Sequence, residues 1–144
     1  MVDAYNKAIS LLSGREHTEK ELYSKLKTKG YKDEDISSSL TRLKKEGYLS
    51  EERFAEVFVR SRIRRSVEGK PLILMRLLEK GSPRDIASGI LDEIWEEGEW
   101  KDSLRKELSL LEKKKGEEYA EGKMRQKGFT TREIREAREE KDEE

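Results

Sequence analysis

A Lys-Gly pair recurs three times along the chain, at Lys29-Gly30, Lys80-Gly81 and Lys127-Gly128, with spacings of 51 and 47 residues. Four residues before each glycine stand Leu26, Leu77 and Met124, and eight before stand Leu22, Ile73 and Ala120. Apolar residues four apart occupy one face of a helix, and a glycine just past the last of them can close that helix. An isoleucine follows each marker, at Ile36, Ile86 and Ile134, and four residues further on stand Leu40, Ile90 and Arg138, the last breaking the apolar pattern. A period near 50 residues with preserved apolar slots means one supersecondary unit used three times.

The remaining punctuation fits a helix-only reading. Gly14, Gly47, Gly69, Gly98 and Gly116 also follow stretches with helical patterning. Start signals face these stops. Thr18 and Thr130, each with a glutamate three residues on, read as capping boxes, and Ser50 precedes the acids Glu51 and Glu52. Ser82 followed by Pro83 reads as a capping serine with proline in the first turn. The expected fold is therefore all-α: about nine short helices in three tandem three-helix repeats, in an elongated or curved arrangement. The expected modules are 1–49, 50–98 and 99–144, abutting and sharing packing, because no Pro/Ser-rich linker separates them.

Charge decides which partners suit such a chain. Of 144 residues, 44% are charged, yet Lys plus Arg and Asp plus Glu both number 32. Leu, Ile, Val and Phe make up only about 22%, close to the level where disorder becomes the default, but the zero net charge lacks the other half of that signature. The apolar residues are thus rationed along the repeat. Module three receives least, its last helix offering only Ile134 and Ala137, so it is expected to be the least stable, with 141–144 as a frayed acidic tail. By module the charge is +2, −1 and −1, which argues against a dedicated nucleic-acid binder.

Several chemistries lack their residues. There is no cysteine and one histidine, His17, so no thiolate zinc site, thiol nucleophile or multi-histidine centre can form. His17, just before the Thr18 cap, reads as a residue that orients a turn. The longest apolar run, Leu72-Ile73-Leu74-Met75, is far short of the ~20 residues of a membrane span. We expect a cytoplasmic, monomeric protein with no catalytic residue, metal or cofactor.

The most informative helix is the one starting at Glu51. On a helical wheel Phe54, Phe58, Ala55, Val59, Ile63 and Val57 cover more than half the circumference, which predicts a helix packed on two sides. Arg53, Arg60 and Arg64 fall within about 40° of one another on the remaining arc. Arg62 and Arg65 extend this stripe towards Lys70 and Arg76, and Lys25 and Lys29 form a weaker cluster in module one. Arginines in a row can grip phosphates or carboxylates bidentately. The competing reading is that they offset the helix dipole and pair with Glu52, Glu56 and Glu68.

Two blocks of sequence carry a family likeness. Arg15-Glu16-His17-Thr18-Glu19-Lys20-Glu21-Leu22, with Leu26, Lys29-Gly30-Tyr31 and Ile36, resembles the opening of the RecX recombination regulators. The run from Leu43 through Gly47-Tyr48-Leu49-Ser50-Glu51-Glu52-Arg53-Phe54-Ala55 to Val59-Arg60-Ser61-Arg62 resembles the same family more specifically. The resemblance is strong over about 4–66, fair through Ile86 and thin in module three. It implies tandem three-helix modules and a regulator that binds the RecA recombinase and its filament on single-stranded DNA. Inhibition of ATP hydrolysis and strand exchange, limits on recombination and the SOS response, and auxiliary contact with single-stranded DNA would follow. The alternative is a sequence-independent nucleic-acid binder built from helix-turn-helix-like modules.

Overall fold

The computed structural model describes the backbone of residues 2–143 and the side chains of 2–139. The expected tail at 141–144 lies outside the described side chains. The described residues form nine helices: α1 (Ala4–Gly14), α2 (Glu19–Thr28), α3 (Asp33–Lys45), α4 (Glu51–Arg65), α5 (Lys70–Glu79), α6 (Arg84–Glu97), α7 (Glu99–Lys115), α8 (Glu117–Gln126) and α9 (Thr131–Glu143). The fold is all-α and repeats a three-helix unit.

The Lys-Gly marker is the same helix stop each time. Gly30, Gly81 and Gly128 have φ of +95°, +101° and +97°, a region costly for any residue with a Cβ. Each glycine N–H bonds the carbonyl three residues back, and the next N–H reaches five back: Tyr31 to Leu26, Ser82 to Leu77, Phe129 to Met124. These paired bonds form a Schellman cap that satisfies the last carbonyls of α2, α5 and α8. Leu22, Leu26, Ile73, Leu77, Ala120 and Met124 are all fully buried.

In the second repeat the apolar slots after the glycine fall one residue later than expected. Ile86 and Ile90 are half-exposed, whereas Ala87 and Leu91 are buried. A constant spacing of six and ten residues from the glycine selects Ile36, Ala87 and Ile134, then Leu40, Leu91 and Arg138. In that last slot Arg138 lies across Glu112 (2.7 Å) and Glu121 (3.2 Å) and donates to the Glu117 carbonyl. Burial works against its charge, but the two carboxylates outweigh burial and keep it firmly protonated.

One start signal and two of the expected glycine stops differ from expectation. Thr18, Ser50 and Thr130 cap as expected. Ser82 does not: α6 starts after Pro83, and the Ser82 hydroxyl is buried without a hydrogen-bond partner. Gly14 is the last residue of α1, and Gly69 begins α5 rather than ending α4.

The buried side chains form two clusters instead of one continuous core. Leu22, Leu26, Ile36, Leu40, Leu43 and Leu49 close one cluster over α1–α3. The second runs without a break from Phe54, Val59 and Ile63 through Trp95 and Trp100 to Met124, Ile134 and Ala137. Packing is therefore shared across α4–α9, as expected of abutting modules, but not across the junction after α3. The few apolar residues of α8 and α9 belong to the core of α4–α7. No helix among the described residues is long and apolar enough to cross a membrane.

Candidate functional site

α4 packs mainly on α6, with smaller contacts to α5 and α7, through Phe54, Ala55, Val59 and Ile63. Val57 is 52% exposed. The apolar face is thus narrower than the wheel predicted, and the solvent face is wider. The arginine stripe does not run along that face as free cations; Arg53, Arg60, Arg62 and Arg64 are each engaged.

Arg60 lies between Glu56 on its own helix (3.2 Å) and Glu97 at the end of α6 (2.7 Å). Arg64 reaches Glu99 at the start of α7 (3.0 Å). The two arginines therefore grip the α6–α7 corner on either side of Gly98. The Glu97 carboxylate holds Arg60 above its usual range, and Arg60 in turn holds Glu97 below its own. Arg53 points the other way: its Nε meets Glu16 (2.5 Å), and its terminal nitrogens donate to the carbonyls of Gly47 (3.1 Å) and Tyr48 (2.9 Å). Such half-exposed pairs add little stability individually, but they fix where each guanidinium sits.

Arg62 and Arg76 converge on Glu68, in the turn between α4 and α5. Arg62 Nε donates to one carboxylate oxygen at 2.8 Å, and Arg76 donates to both, at 3.0 and 2.6 Å. Glu68 is only 6% exposed. The Arg76 bond, aided by Arg62, outweighs burial and holds its carboxyl below the ordinary carboxylate range. The Glu68 carbonyl accepts from the indole N–H of buried Trp100 on α7 at 2.8 Å. Lys70 pairs with Asp92 at 3.3 Å and lies over the Trp95 ring.

The other predicted residues lie apart from this arrangement. The side chains of Arg65 and Lys29 are exposed and have no ion-pair or hydrogen-bond partner among the described residues. Lys25 donates to Nε2 of His17 at 2.8 Å, while Nδ1 of His17 faces the Arg15 carbonyl at 3.0 Å. A carbonyl can only accept, so the hydrogen is on Nδ1 and the ring is neutral. Burial lowers the pKa of His17. It orients the α1–α2 turn, as expected. No cluster of His, Asp and Glu suited to a metal ion is found among the described residues.

The expected stripe thus separates into three ties: Arg53 to α1–α3, Arg60 with Arg64 to the α6–α7 corner, and Arg62 with Arg76 to Glu68. Sequence reasoning singled out the cations and named Glu68 only as one of several partners. The missed signal was a lone acid in a turn with arginines six residues before and eight after, a spacing with no helical period.

Comparison with known proteins follows the same division. Residues 4–43 match the pattern described as "RecX, first three-helix domain", and 50–91 match "RecX, second three-helix domain". A protein named Regulatory protein RecX from Chlorobium phaeobacteroides is 32% identical over 92% of this chain and 89% of its own length. The one from Halorhodospira halophila is 42% identical over 64% of this chain, which spans 54% of that relative. Among solved structures, RecX from Lactobacillus salivarius superposes with a TM-score of 0.85 at 23% identity, covering 96% of this chain and 94% of its own. A further structure of a regulatory protein RecX gives 0.78 at 20% identity. The two structures support the fold, and the Chlorobium relative supports kinship along nearly the whole length. The chain belongs to the RecX family.

Proposed function

We propose that this chain regulates the RecA recombinase by binding it, above all as the filament on single-stranded DNA, and by restraining ATP hydrolysis and strand exchange. It would thereby limit recombination and the SOS response, without catalysis of its own, acting in the cytoplasm as a monomer. The observation that carries this reading is the 32% identity over 92% of the chain to a protein named Regulatory protein RecX.

Electrostatics favours a protein partner over bare nucleic acid. Six of the nine candidate cations already face carboxylates: Arg53, Arg60, Arg62, Arg64, Lys70 and Arg76. A phosphate backbone would have to displace those partners. A mixed surface of protein and phosphate can instead use Arg65, Lys25 and Lys29 while leaving the internal pairs intact. Contact with single-stranded DNA is then auxiliary, and a general nucleic-acid binder is the weaker reading.

Titrating the purified chain into RecA on single-stranded DNA tests this directly. ATP hydrolysis should fall with dose; hydrolysis unchanged across the titration would contradict the proposal. Tight, steeply salt-dependent binding to naked single-stranded DNA without RecA would favour the alternative. Arg65→Glu with Lys29→Glu should preserve the helical circular dichroism and weaken inhibition. Equal inhibition by this variant would remove both residues from the contact surface.

A further inference from the structure

The two buried clusters come within a few residues of each other along the chain. Leu49 belongs to the α1–α3 core, and Phe54 and Ala55 belong to the other. Only residues 50–53 lie between them. Across this junction the chain makes polar ties. The Thr18 hydroxyl donates to the Lys80 carbonyl at 2.6 Å, and Glu51 accepts from the backbone N–H of Glu19 at 2.6 Å. Arg53 reaches back to Glu16 at 2.5 Å and to the carbonyls of Gly47 and Tyr48. Beside them, Lys20 lies so close to Gly81 that a Cβ there would sit 2.6 Å from the Lys20 Cβ.

Thr18 is fully buried at the centre of this junction, and open space flanks the ties of Glu51 and Arg53. A hollow of about 420 Å³ lies between Lys20, Tyr23, Thr41, Glu51 and Pro83. Another, of about 530 Å³, opens beside Lys44, Ser50, Arg53 and Ile86. Dry cores resist displacement because every side chain is held by its neighbours. A few hydrogen bonds beside open clefts exchange readily for water, at a net cost of roughly 1 kcal/mol each. Hinges are built from a few loop or element-end residues between rigid bodies, which describes 50–53.

We infer that residues 1–49 and 54–139 are two rigid bodies hinged at 50–53, with Thr18–Lys80, Glu51–Glu19 and Arg53–Glu16 as a latch that sets the closed angle. Opening releases these ties, frees the N-terminus of α2 and joins the two hollows into one cleft, while both cores stay intact. The device does not depend on the partner proposed above. A regulator hinged in this way can change the angle between its two ends on binding.

The absence of cysteine makes the test clean. Spin labels on Ser38→Cys and Glu93→Cys report across the hinge, and labels on Glu93→Cys and Arg125→Cys report within the second body. Electron–electron distance measurements should give a broader distribution across the hinge than within the body. Adding Thr18→Val and Arg53→Ala should shift the first distribution to longer distances and leave the second unchanged. A hinge distribution as narrow as the internal one, and unmoved by the latch changes, would overturn the inference. Should the latch variants fail to fold, the relative breadth in the labelled chain decides alone: broad supports the hinge, equally narrow refutes it.

Discussion

The two junctions of this protein are built from opposite materials. Between α1–α3 and α4–α9 the chain is held by three polar ties beside open clefts and by the close approach of Lys20 to Gly81. Between α6 and α7 it is held by a dry core, with Trp95 and Trp100 packed edge to face at 5.2 Å. Backbone contact reinforces the second junction. Gly69 N–H donates to the Lys127 carbonyl at 2.7 Å, and a Cβ at 69 would sit 2.3 Å from the carbonyl of Gly128. The same three-helix unit can therefore be joined rigidly or loosely, and residues at the join decide which. A thin supply of apolar residues makes this choice visible: the aromatics are spent on one junction and withheld from the other.

The predictions probe that contrast, beginning with the largest effect. Trp100 is fully buried and bonds the Glu68 carbonyl, so Trp100→Ala should destabilise 50–139 by about 3–5 kcal/mol. Denaturant unfolding should register the loss there, while α1–α3 keeps its own transition. Gly69→Ala forces a methyl into the Gly128 backbone and should cost about 2–3 kcal/mol, read as a lowered Tm. A normal Tm would show that the clasp between the two turns yields easily.

Glu68→Gln should cost about 2 kcal/mol at neutral pH, the usual penalty for breaking a buried pair being reduced because both arginines are partly in water. Because the carboxyl of Glu68 is held below its ordinary value of 4.5, its stabilisation is present above that value and is lost as pH falls through the lowered one. The variant's acid unfolding should lose that component of the slope.

At the polar junction the effects shrink. Thr18→Val removes a cap and the Lys80 tie and should cost about 1–2 kcal/mol, read as a lowered Tm. Glu51→Gln runs the other way. Burial raises the Glu51 carboxyl above 4.5, so its contribution is full below that value and lost as pH rises through the raised one. Glutamine keeps the carbonyl that accepts the Glu19 N–H and removes the half-buried charge. The variant should therefore match or exceed the parent's Tm at pH 7, with the difference vanishing in acid.

The helices and their stops were legible because their causes are local. Schellman glycines, capping threonines and apolar residues four apart each act within a turn or two of chain. The slip from Ala87 and Leu91 to Ile86 and Ile90 came from preferring larger apolar residues over constant spacing. Burial followed the spacing. The candidate site was less legible, since its residues pair over long range: Arg60 with Glu97, Arg53 with Glu16, Trp100 with Glu68. Helical spacing offers Arg60 one acid, Glu56, and offers Arg62 none, whereas nearly half the residues of the chain are charged and many acids are candidates at long range. Choosing among them requires knowing how the helices pack. Val57 shows the same limit, because a wheel identifies an apolar arc without saying how much of it a neighbour covers.

Native-state hydrogen exchange in increasing denaturant, on the full chain, tests the contrast between junctions most directly. The buried amides of Leu22, Leu26, Ile36 and Leu43 should converge on one opening free energy. Those of Ile63, Ile73, Leu104 and Met124 should converge together on a different one, spanning α4–α8 as a single cooperative unit. A single opening energy for all eight, or α7 and α8 opening apart from α4 and α5, would contradict the account.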